Sequence, residues 1–164
     1  TALLKYIFER LDRDLDCGEF AEDQREWIRN LEVFGVTFKD LTPVSAFDLQ
    51  MLKTSGMELA PVVMRLLFAQ QSAKGWADFS QALNEALYAG VIDYFKLGSL
   101  TWVVQRLGPW ATNEQQYIVL LVDELAKIGQ KLRQQGSPEA EANTAVQIVR
   151  RSLCETMDKW CSAA

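Results

Sequence analysis

A chain of 164 residues, 49% hydrophobic and 24% charged, has the length and composition of one globular domain rather than of a disordered or fibrous segment. Its formal charge is −5 and no dense basic stripe stands out, which argues against nucleic acid or an anionic membrane surface as partner. The chain contains no histidine, which excludes Ser-His-Asp and Cys-His catalysis, His-ligated metal and the usual proton shuttle near neutral pH.

Taken in chain order, the pattern is helical throughout. Residues 2–13 place Leu3, Leu4, Ile7, Phe8 and Leu11 on one face. Residues 21–34 form a second helix with Trp27, Ile28, Leu31 and Phe34 inward, and Gly35 reads as its C-terminal stop. An extended connector follows at 36–40, and Thr42–Pro43 then supply a cap and a first helical position for a helix over 43–55. Gly56 interrupts, and an apolar helix runs from about Pro61 to Gln71.

After Gly75, the spacing of Trp76, Phe79, Leu83 and Leu87 predicts a helix closed by Gly90. Residues 91–107 are the next candidate, with Gly98 inside it as a place of close packing or of added space. Thr112 and Gln115 form a capping box for a long helix to about Gln135, with Ile118, Leu121, Val122, Leu125, Ile128 and Leu132 inward. Gly136 stops it, and Ser137–Pro138 start a final helix carrying Ala142, Val149, Leu153, Met157 and Trp160 along one side.

No segment alternates apolar and polar residues over five or more positions. The expectation is therefore an all-α fold, a single domain over 1–164, with seven or eight helices in one bundle. Its last two helices form a long antiparallel pair, each about 30–35 Å at 1.5 Å per residue. No basic-then-apolar leader opens the chain and no apolar run is long enough to span a bilayer, so a cytoplasmic protein is expected. The three cysteines, Cys17, Cys154 and Cys161, fit reduced thiols. Cys154 and Cys161 would stand about 10.5 Å apart along one helix, beyond the roughly 7 Å reach of a disulfide.

Two stretches come near known motifs. Asp12, Asp14 and Asp16 alternate as in an EF-hand calcium loop, which wants oxygens at positions 1, 3 and 5, glycine at 6 and glutamate at 12. Here Cys17 holds position 6, Gly18 comes one residue late and Asp23 holds position 12. The stretch reads as an acidic helix boundary, with weak divalent binding as an alternative. Leu52-Lys53-Thr54-Ser55-Gly56-Met57-Glu58-Leu59 resembles the BH3 segment of the Bcl-2 family, although Met57 replaces its acidic residue and Pro61 follows closely. That resemblance implies an all-α protein that holds an amphipathic helix in a groove. Gly56 alone reads as a helix corner.

No C-x-x-C, Walker A or G-x-G-x-x-G pattern occurs, so neither cofactor nor resident metal is expected and the chain reads as non-catalytic. The leading expectation is an interaction or regulatory module that binds a partner helix or a second copy of itself. Trp76 and Trp110, both at element ends, and Met157 and Trp160, on the last helix, are the candidate partner-binding residues. The rival is a sensor or carrier that holds a small apolar ligand, with Phe95, Gly98 and Trp102 lining its pocket.

Overall fold

The computed structural model describes residues 31–39, 41–69, 75–107 and 117–163. Within them the chain is mostly helical. β1 (Leu31–Thr37) is followed by α1 (Ala46–Leu52), α2 (Ala60–Ala69), α3 (Trp76–Tyr88), a 3-10 helix (Tyr94–Gly98) and α4 (Leu100–Leu107). Then come β2 (Tyr117–Asp123), α5 (Ala126–Gln134) and α6 (Glu139–Ala163). Among the described residues there are thus six α-helices rather than seven or eight, and a sheet where no strand was expected.

The sheet is a parallel pair, β1 beside β2, with Leu31 opposite Tyr117 and Thr37 opposite Asp123. One further bond, from Phe38 N to Asp123 O at 3.2 Å, extends it past the strand end. All of β2 and the first part of β1, residues 31–34, fall where helix was expected, while Val36 and Thr37 lie in the expected extended connector. In β2 the residues Tyr-Ile-Val-Leu-Leu-Val are mostly β-branched or aromatic, yet their spacing also fits one helical face. Parallel strands carry near-continuous apolar runs instead of alternation, so a search for period two passes over them. In β1 the extended state reaches back from the expected connector through Gly35 to Leu31. Gly35 therefore sits inside a strand instead of ending a helix.

α2 is the centre of the helical part. Its residues from Ala60 to Leu66 are all buried, on every side of the helix, as expected of a core element. α1, β1, α3, α4 and the 3-10 helix all pack on it. Its apolar Val62, Val63 and Met64 meet a core completed by Val36, Phe38, Met51, Met57, Phe79, Leu97, Val103 and Ile128. No helix among the described residues is long and apolar enough to cross a membrane.

The stretch resembling a BH3 segment is a corner. α1 ends at Leu52, the chain turns through Gly56 in a left-handed conformation (φ 81°), and α2 begins at Ala60. The expected helix over 91–107 is also divided, because Ser99 separates the 3-10 helix from α4 and caps the latter through its hydroxyl to Trp102 N at 3.1 Å. Ser99 is extended at φ −102° and ψ 102°, and Gly98 before it leaves no room for a side chain. A Cβ there would collide with the Gly56 carbonyl oxygen, so backbone meets backbone where the 3-10 helix crosses the α1–α2 corner.

α5 and α6 pack side by side, with Gly129 of α5 close against Ala142 and Val146 of α6. The pair is unequal. α5 has 9 residues and α6 has 25, about 13 and 37 Å at the usual rise, because residues expected to lengthen the first helix are spent in β2. The turn between them is as the sequence suggests, with Gly136 at φ 90° and Ser137 N bonded to Leu132 O.

Two glycines of opposite surroundings give a test. Gly98→Ala is expected to lower unfolding free energy by about 2 kcal/mol or more through overpacking. Gly35→Ala, where a Cβ meets nothing within 4 Å, is expected to change it by about 0.5 kcal/mol or less. Urea midpoints of the two variants measure both. Equal midpoints would mean that the two backbones do not meet.

Candidate functional site

The densest polar cluster is built around Arg65, the one charged residue of the apolar helix α2 and 2% exposed. Its Nη1 donates to Asp48 Oδ1 at 2.9 Å and to Pro61 O at 2.8 Å. Its Nη2 donates to Thr42 O at 2.9 Å, with Pro43 O and Asp48 Oδ2 at 3.1 Å. Nε donates to Thr37 O at 3.1 Å and Thr42 O at 3.2 Å. The rings of Phe38 and Trp76 lie 3.9 and 4.5 Å from the guanidinium carbon.

Asp48 is fully buried and equally occupied. Its Oδ2 accepts from Ser45 N at 2.7 Å and Ser45 Oγ at 2.9 Å, while Ser45 Oγ accepts from Asp48 N. Ser45 therefore caps α1 in a reciprocal box, three residues later than the expected cap at Thr42. Thr42 instead donates its hydroxyl to Thr37 O. With every donor matched and the ion pair sealed from solvent, this cluster is a structural clamp and offers no open valence to a substrate. Among the described residues no group of three or more His, Cys, Asp or Glu side chains is placed to hold a metal.

Among the described residues one open surface lies between α3 and α4. α3 ends at Tyr88, and Gly90, at φ 68°, reverses the chain with Val91 N bonded to Ala86 O at 2.9 Å. Asp93 then caps the 3-10 helix, its Oδ1 accepting from Phe95 N at 3.1 Å. The knuckle so formed exposes Tyr88 (81%), Val91 (77%) and Phe95 (77%). On one side lies a groove of about 250 Å³ against α1, lined by Phe47, Met51, Leu87, Tyr88 and Tyr94 among others. On the other lies a cleft of about 840 Å³, walled by Leu67, Phe79, Leu83, Ile92 and Trp102 and carrying Lys96 and Arg106.

The residues singled out from the sequence are scattered over these features. Trp76 is 7% exposed and donates its ring N–H to Pro43 O at 2.9 Å, beside the Arg65 clamp. Trp160 is half-buried and donates to Thr101 Oγ1 of α4 at 2.9 Å. Met157 is half-buried on α6. Trp110 and the Asp12, Asp14 and Asp16 turn lie outside the described residues. Of the three expected pocket residues, Trp102 is in the wall of the large cleft, Phe95 stands on the exposed knuckle and Gly98 is occupied by the Gly56 backbone.

Sequence reasoning missed Arg65 and Asp48, although both left signals. Ser45-Ala46-Phe47-Asp48 has the spacing of a capping box, and a lone arginine inside an apolar helix needs a buried partner. Comparison of the chain with protein families, with curated proteins and with solved structures finds no match in any of the three. Its functional reading therefore stands on geometry.

The clamp is testable apart from function. Asp48→Ala leaves the guanidinium buried without a counter-charge and is expected to lower unfolding free energy by about 3–5 kcal/mol. Arg65→Lys keeps the charge but not the planar fork and is expected to fall on the same side. Denaturant titration with circular dichroism measures both, and a loss below about 1 kcal/mol, typical of a surface pair, would contradict a sealed clamp.

Proposed function

We propose that the chain is a non-catalytic interaction module that holds another protein through the Tyr88–Phe95 knuckle. One observation carries the reading. Among the described residues four large hydrophobic side chains are strongly exposed, and three of them, Tyr88, Val91 and Phe95, stand within eight positions of one another. Single exposed apolar residues need no explanation, but three on one short reversal of the chain favour an interface. Tyrosine and phenylalanine are enriched at such surfaces. The adjoining groove between α1 and α3 is of mixed character, with Gln50 and Asn84 beside Phe47, Met51, Leu87 and Tyr94, and it extends the surface that a partner side chain can enter.

This reading moves the partner surface from Trp76 and Trp160, whose ring N–H groups are bonded within the chain, to the knuckle. A second copy docked on α6 near Met157 is the competing form of the same idea. A net charge of −5 supports a protein over nucleic acid, and a reducing compartment such as the cytoplasm suits the free, exposed thiol of Cys154. Phe95→Asp and Val91→Asp are surface changes expected to alter stability by about 0.5 kcal/mol or less. They are expected to abolish partner capture by the purified chain, while Met157→Glu leaves capture and mass unchanged. Capture that survives both knuckle substitutions sinks the reading. Conversion of a dimer to monomers by Met157→Glu alone, seen by light scattering, would favour the α6 surface.

The large cleft supports a second reading, a carrier or sensor of a small, largely apolar ligand. Its volume of about 840 Å³ falls in the range of sites that enclose small molecules, and Trp102 is among its lining residues.

A further inference from the structure

We infer that the cleft between α2, α3 and α4 selects an amphiphilic anion, a long-chain carboxylate with its tail against the helices and its head at Lys96 and Arg106. The inference rests on the carrier reading. It comes from the distribution of polarity along the cleft. Phe79 and Leu83 are 4% and 5% exposed and Leu67, Ile92 and Trp102 are half-buried, which makes the inner wall apolar. Lys96 and Arg106 are exposed and share the same lining, so charge is confined to the solvent side.

Among the described residues neither cation faces a paired carboxylate. Neither Lys96 nor Arg106 takes part in the Arg65–Asp48 or Arg151–Glu155 ion pair. Asp93 shares the lining as a carboxylate, its Oδ1 accepting from Phe95 N, so among the described lining residues the two cations outnumber the negative charge by one. The Arg106 guanidinium carbon lies 5.7 Å from the centroid of Trp102, within cation–π range, which ties that cation to the wall. A chain of net charge −5 gives an anion no long-range attraction. Any preference for one must then arise from these two side chains. A carboxylate head offsets the surplus positive charge of the lining, a neutral apolar molecule leaves it unmatched, and a cationic amphiphile adds to it.

Calorimetric titration of the full 164-residue chain with dodecanoate, dodecanol and dodecyltrimethylammonium, each below its micelle concentration, separates the cases. Dodecanoate is expected to bind one equivalent, about tenfold more tightly than dodecanol, for a difference near 1.4 kcal/mol. The ammonium probe is expected to bind least. Lys96→Gln combined with Arg106→Gln, both exposed, is expected to leave the unfolding midpoint in place and to bring dodecanoate to the affinity of dodecanol. Equal binding of dodecanoate and dodecanol by the unaltered chain overturns the head-group inference while leaving the carrier reading standing. Binding of neither overturns both. A carboxylate preference that survives the double substitution also overturns the inference, since its source is then elsewhere.

Discussion

The guanidinium of Arg65 is the constraint on which the rest of the described structure depends. One side chain is held at the same time by the end of β1 through Thr37, by the connector through Thr42 and Pro43, by α1 through Asp48 and by its own helix through Pro61. A buried charge is costly to strip of water, and attraction repays that cost only when geometry is good and the remaining donors are met. Here they are met, and the flat faces of Phe38 and Trp76 close the sides. Against well-packed apolar residues the net gain of such a pair is small. What it fixes is position: two helices, a connector and a strand end can adopt few arrangements that satisfy all of these bonds at once.

The open surfaces inherit that positioning. α3 starts at Trp76, whose ring N–H is tied to Pro43 beside the clamp, and runs 13 residues to Tyr88 at the knuckle. From the other side the knuckle is held by Leu97, fully buried, and by the Gly98 crossing over the α1–α2 corner. Phe95 and Lys96 thus project from a segment anchored within two residues of their own positions. A surface held in this way loses little conformational freedom on binding, and preorganisation of that kind raises affinity without added contact area.

Where residues repeat with period 3.6, the sequence is transparent. Trp76, Phe79 and Leu83 predict α3 and its stop at Gly90, and the Gly136 turn is equally plain. The strands are opaque for a physical reason: a parallel pair has no alternation, and Ile118, Leu121 and Val122 satisfy helical spacing and extended pairing alike. Only contact with residues far along the chain decides between them. The site is legible to a lesser degree. Trp102 and Phe95 stand out in the sequence as aromatic, but whether an aromatic is wall, surface or core depends on what packs behind it. Gly98 illustrates the same limit, because its partner is a carbonyl oxygen some forty positions earlier and no local pattern encodes that meeting. Lys96 and Arg106 read as ordinary surface charges until the chain brings them to one rim.

The pairing of Leu31 with Tyr117 has a consequence for how the molecule is made. Every helix from α1 to α4 lies between the two strands in sequence, so the sheet cannot close until the chain has spanned that whole interval. The entropy of closing so long a loop is lost before any ladder bond forms. The α1–α4 block carries its own apolar centre in α2 and joins neighbours close in sequence, so it can organise first and bring the strand ends together. Emerging from a ribosome, β1 would wait without its partner until residues 117–123 appeared, its edge open to any other extended chain. The molecule's moment of greatest exposure to misassembly therefore falls during its own synthesis.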